Sequence, residues 1–106
     1  MGIDEKAVRE IVTRVLRASR PDRIILFGSA ATGNMTRDSD IDLLVLRRPP
    51  VDPREERVRI RKELRGLGLS FDIIVMATDR FEESKEVIGG IAYPANKYGK
   101  IIYEAA

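Results

Sequence analysis

The chain has 106 residues, 43% of them apolar and 34% charged, with a formal net charge of +2. That is the make-up of one modest globular domain, 1–106, and neither a disordered segment nor a strongly basic nucleic-acid tail. It contains no cysteine and no histidine, which excludes disulfides, thiolate catalysis, the usual zinc ligand sets and every histidine-based nucleophile device. Any catalysis must rest on carboxylates, hydroxyls, Lys or Arg, with a hard metal as the natural helper. No apolar run approaches bilayer length, and the N-terminus turns polar and acidic at once, unlike a signal peptide. Met1-Gly2 is followed by Ala7 where myristoylation needs Ser or Thr. A cytoplasmic location and no membrane partner are therefore expected.

In chain order, residues 4–18 predict an amphipathic helix. Asp4 is its N-cap, Val8, Ile11, Val12, Val15 and Leu16 form its apolar stripe, and Lys6, Arg9, Arg14 and Arg17 lie outside. Ser19 to Asp22 break it, and Arg23–Phe27 is a short buried strand. Gly28-Ser29 ends that strand, and 29–32 predicts a brief helix closed by Gly33-Asn34. Residues 40–47 predict a second strand bounded by Arg48-Pro49-Pro50, 53–66 a helix opened by Pro53, and 70–77 a third strand. Residues 79–88 and 91–98 read as helical, and 100–104 as a last strand after Gly99. Strands and helices mix, and the first two strands are joined by about a dozen residues. The expectation is an α+β domain with a small mixed sheet and helices packed mainly on one face.

Two features carry chemistry. A strand ending in a tight Gly turn that feeds a helix exposes backbone N–H groups where phosphate binds readily. By itself the turn reads equally as an ordinary junction with Ser29 as N-cap. The P-loop lysine is missing, because Asn34 and Met35 follow Gly33, and Ala30 breaks the dinucleotide fingerprint. Next, Asp40 and Asp42 alternate along a predicted strand and so share a face, roughly 6.5–7 Å apart. Carboxylates this close repel unless a cation neutralises them, and oxygen-only ligands suit Mg²⁺ or Mn²⁺. A polar strand opening with Asp38 and Asp40 as turn residues is the plainer alternative. An EF-hand loop fails at Leu43 and Pro49. Asp72, opening the third strand, would join the pair if the two strands are neighbours.

Gly28-Ser29, ten residues, then Asp40-Ile41-Asp42, with a later strand carrying Asp72, resembles the signature of the DNA polymerase beta-like nucleotidyltransferases. The small size resembles the minimal nucleotidyltransferases (MNT) encoded beside HEPN proteins in toxin–antitoxin modules, and the resemblance extends to the tail "YPANKYGKIIYE". It implies that Asp40, Asp42 and Asp72 are catalytic and hold two divalent metals, Mg²⁺ with Mn²⁺ as an alternative. It also implies that Gly28 and Ser29 grip the phosphates of ATP or another NTP. For members paired with HEPN toxins it implies AMP transfer to a toxin tyrosine and a tight neutralising complex. The chain departs from the family at the turn, where Ala30 and Thr32 replace two arginines; Arg37 is a nearby substitute.

Larger relatives carry an acceptor-positioning domain that this chain has no room for, so the acceptor is expected to come from a partner or to bind a shallow surface, with a homo- or hetero-oligomer as one form of that partnership. Residues 47–65 are rich in Arg without interleaved aromatics, as expected of a solvated helix face with a Glu55–Arg59 pair. Their stripe Val58, Ile60, Leu64 and Leu67 is expected on the sheet, Tyr93, Tyr98 and Tyr103 in packing roles. Three readings remain: a nucleotidyltransferase, an antitoxin acting by occupancy with weak or lost catalysis, and an RNA-binding domain using that basic helix, which would show steeply salt-dependent affinity.

Overall fold

The computed structural model describes residues 3–33, 35–36, 39–48 and 52–106. The roles expected of Gly2, Asn34, Arg37, Asp38, Pro49 and Pro50 lie outside them. Nine elements follow one another: α1 Glu5–Ala18, β1 Arg23–Phe27, α2 Ser29–Thr32, β2 Ile41–Arg47, α3 Pro53–Leu64, β3 Phe71–Ala77, α4 Thr78–Ser84, α5 Ala92–Tyr98 and β4 Lys100–Glu104. The strands form one mixed sheet in the order β3-β2-β1-β4. The α+β architecture with a small mixed sheet is as the sequence predicts. β1 runs antiparallel to β2 and β4, while β2 and β3 are parallel, because α3 carries the chain back to the same end.

Side-chain alternation splits the strands between two cores. Ile24, Leu26, Leu43 and Val45 face α1, α2 and α3, meeting Ile11, Val15, Ile60 and Leu64. Ile25, Phe27, Leu44 and Leu46 face the short helices α4 and α5 through Phe81, Ala92 and Ala95. The two long helices thus share one face, and β1 and β2, buried on both sides, have the unbroken apolar runs that this requires. Each fully buried Leu or Ile contributes about 1.5–3 kcal/mol, against ~0–1 for an exposed ion pair, so the two cores and not the surface charges hold the sheet together. No helix among the described residues is long and apolar enough to cross a membrane.

The helix stripes differ from expectation in detail. Asp4 caps α1 through the Ala7 amide at 2.7 Å, and Ile11 and Val15 are buried, but Leu16 is 40% exposed. Arg14 does not point to solvent. Its guanidinium donates to the carbonyls of Glu63 and Arg65 at 3.1 and 2.8 Å, capping α3, which therefore stops at Leu64 and not at 66. In α3 the buried stripe is Glu56, Ile60 and Leu64, an i, i+4, i+8 line that leaves Val58 half exposed. Glu56 takes the place of an apolar residue by pairing with Arg59 at 3.1 Å and Arg47 at 3.5 Å, so the expected Glu55–Arg59 pair gives way to a partly buried one. α4 ends at Ser84, before the expected 88.

The turn from α5 to β4 is fixed by crowding. A Cβ at Gly99 would lie 2.3 Å from the Ala95 carbonyl oxygen and 2.7 Å from Ile25 Cγ2. Gly99→Ala should cost about 1–3 kcal/mol through overpacking, seen as a lower urea midpoint at unchanged slope. Wild-type stability would show that the turn can move aside.

Candidate active site

The site is assembled where β1 ends and β2 and β3 begin. In the strand register Phe27 stands opposite Asp42, and Asp42 beside Asp72, so one row across three strands carries both carboxylates. Adjacent strands are about 4.8 Å apart, which makes the two aspartates near neighbours. By alternation they fall on the face of Leu44, Leu46, Ile74 and Met76, the α4–α5 side, at the end of the sheet.

Gly28 closes this row. Its backbone is at φ 69° and ψ −150°, a conformation that side chains rarely adopt. A Cβ there would fall 2.1 Å from Asp42 Oδ2 and 3.1 Å from its Cγ. Glycine is thus required twice, by conformation and by the carboxylate packed on it. The Gly28 carbonyl accepts from the amides of Ala31 and Thr32 at 3.1 and 3.2 Å and starts α2. Ser29 and Ala30 open the helix, and their amides have no intrahelical acceptor. Ala30 is buried in the α1–α3 core, while Thr32 is exposed and its hydroxyl donates to the Gly28 carbonyl at 3.3 Å. The two positions at which the resemblance leads one to expect arginine therefore serve packing and the turn itself.

Electrostatics ties the three acids together. Burial, then the charges of Asp72 and Asp40, push the Asp42 carboxyl above its ordinary value of 3.8. Asp40 immediately precedes β2 and is exposed. It also lines a hollow of about 410 Å³ with Arg61, Leu64, Arg65 and Phe71, so it sits between the acidic row and the basic end of α3. Among the described residues no three acidic side chains form a ready-made metal cage. The donor set nonetheless fits a hard divalent ion. It is all oxygen, its members repel one another, and Mg²⁺ typically takes only one or two carboxylates and fills its shell with water and substrate phosphate. A second hollow, about 590 Å³, lies between α1, α2 and β4 and includes Thr32 and Gly33 but none of these acids.

What the sequence did not reveal is the contact of Gly28 with Asp42, because residues 14 apart meet only through the β1–β2 register. It also did not reveal that Lys97 Nζ lies 5.6 and 5.4 Å from the ring centroids of Tyr93 and Tyr98, although the i, i+4 spacing of Tyr93 and Lys97 was a legible signal.

A raised carboxyl pKa in the folded state has a definite sign. Protonation favours folding, and stability is lost as pH rises from the ordinary carboxylate range through the raised value. In EDTA, Asp42→Asn should therefore melt a few degrees above wild type at neutral pH, with the difference closing on acidification below that range. Added Mg²⁺ should raise the wild type and not the variant. A variant less stable than wild type at neutral pH without metal would show that Asp42 is held by favourable contacts and not strained by its neighbours.

Comparison with known proteins places this arrangement. The family model described as nucleotidyltransferase domain matches residues 8–93. A search of curated protein sequences finds no match. Among solved structures, one described as a toxin-antitoxin with AMP-PNP shares the fold at a TM-score of 0.71 and 21% identity, over 92% of this chain and 73% of that one. Another, described as a nucleotidyltransferase from Sulfolobus solfataricus, aligns at a TM-score of 0.59 and 19% identity, over 98% of this chain and 92% of that one. The family match spans the Gly-Ser turn and all three aspartates, and the chain belongs to the nucleotidyltransferase domain family.

Proposed function

We propose that this chain transfers AMP from ATP to a hydroxyl of a partner protein, the tyrosine of a HEPN toxin, and so acts as its antitoxin. The observation that carries this reading is the packing of Gly28 onto Asp42 in a row shared with Asp72. A phosphate-accepting turn and paired carboxylates then address one small volume. The solved neighbour described as a toxin-antitoxin with AMP-PNP supports the nucleotide class and the partner relationship.

Asp40, Asp42 and Asp72 would hold the divalent metal, Mg²⁺ or Mn²⁺, and act as the catalytic set. Two such ions would supply charge stabilisation for an in-line displacement. Gly28 lets the triphosphate approach the backbone beside Asp42, and Ser29 contributes its amide and hydroxyl to the outer phosphates. Asp72, the exposed carboxylate of the pair, receives the proton of the acceptor hydroxyl. That oxygen bonds to the α-phosphorus, and the bond to pyrophosphate breaks. No histidine is needed.

A second reading, an antitoxin that blocks its partner by occupancy with weak or lost catalysis, is favoured by one observation. Ala30 is buried and Thr32 is committed to the Gly28 carbonyl, so neither brings a cation to the phosphates. Incubation with Mg²⁺, source-cell lysate and ATP labelled at the α- or γ-phosphate separates the two. Only the α-label should reach a protein band, and Asp42→Asn should reduce transfer by at least on the order of 10²-fold. No transfer, with neutralisation of a bound partner preserved in Asp42→Asn, would establish the occupancy reading instead.

A further inference from the structure

The α5–β4 corner stands beside the site. Lys100 pairs with Leu26, and a Cβ at Gly99 would touch the Leu26 carbonyl oxygen and Ile25 Cγ2. Gly28 lies two residues beyond Leu26, roughly 7 Å along the strand. The last turn of α5 therefore reaches the same end of the sheet as the phosphate turn. α5 also covers the face on which Asp42 and Asp72 lie.

The chain has six aromatic side chains, three Phe and three Tyr. Phe27 and Phe81 are buried, and Phe71 and Tyr103 pack against the opposite core. That leaves Tyr93 and Tyr98, both carried by α5, the helix that covers the acidic face through Ala92 and Ala95, and Tyr98 is 56% exposed. Between them Lys97 donates to the Tyr93 hydroxyl at 3.3 Å and lies within cation–π range of both rings. Lys97 forms no ion pair among the described residues. The hydrogen bond that Lys97 donates to the Tyr93 hydroxyl, ahead of other causes, holds its ammonium above the ordinary lysine value. An exposed ring beside an unpaired, braced cation is suited to a ligand that is flat at one end and anionic at the other.

Resting on the nucleotidyltransferase reading, we propose that Tyr98 is the platform on which the base of the nucleotide stacks, with Lys97 meeting its sugar–phosphate portion. The triphosphate occupies the Gly28–Asp42 end, and the nucleoside extends along α5. Stacking serves any base, so this platform supplies affinity and not strict base choice.

Calorimetric titration of the full chain in Mg²⁺, with ATP and with inorganic triphosphate, separates base from phosphate. Stacking of one base is worth on the order of 5- to 150-fold in affinity. Tyr98→Ala should lose that much ATP affinity, with triphosphate binding unchanged, while Tyr98→Phe keeps both. Full ATP affinity in Tyr98→Ala would overturn the platform and leave the nucleotidyltransferase reading standing. Failure of the wild type to bind either ligand would overturn both.

Discussion

The Asp42 carboxylate occupies the place where residue 28 would carry its side chain. This exclusion constrains everything around it. β1 must end in glycine at a positive φ, and α2 must begin at once, because the Gly28 carbonyl is taken up by Ala31 and Thr32. β2 must hold its register to within one residue. A slip of one position would turn Asp42 into the α1–α3 core and bring a Leu or Ile to the surface. Since Leu43, Leu44, Val45 and Leu46 are apolar and buried on both faces, it is the burial of that carboxylate that makes such a slip costly.

The rest of the fold can be read as support for that row. The parallel pairing of β2 with β3 brings Asp72 beside Asp42. It requires the crossover helix α3, whose end is secured by Arg14 reaching over from α1. The antiparallel hairpin of β1 and β2 returns the chain to the same end. α4 and α5 cover the acidic face where the strands are apolar. The consequence is a site at the rim of the sheet, with mutually repelling acids exposed toward whatever binds there. Stability forgone at Asp42 through burial and like charge is what a cation-binding site tends to show.

Much of this was legible in the residues. Gly28 marks the end of β1 and the start of α2, Gly33 the end of α2 and Gly99 the start of β4, and the Gly-Ser and Asp-x-Asp spacing pointed to the family that the comparison supports. The stripes of α1 and α3 were less legible. Leu16 and Val58 are apolar yet exposed, while Glu56 is charged yet buried, because Arg47 on β2 and Arg59 supply partners that only the tertiary arrangement brings close. The end of α3 depends likewise on Arg14, 49 residues from Glu63. Helical periodicity cannot anticipate a partner from another element. For the same reason Tyr93 and Tyr98 read as ordinary packing until β4 pairing carried the end of α5 toward the Gly28 turn.

The central claim is that the turn and the acidic row form one metal–triphosphate site. Titrating Mn²⁺ into the protein with ATP, and following paramagnetic broadening of the amide resonances, tests it without altering any residue. The strongest broadening should centre on Gly28, Ser29, Asp42 and Asp72. Broadening centred elsewhere, on the basic end of α3 or on the α4 acids, or none with ATP bound, would contradict it.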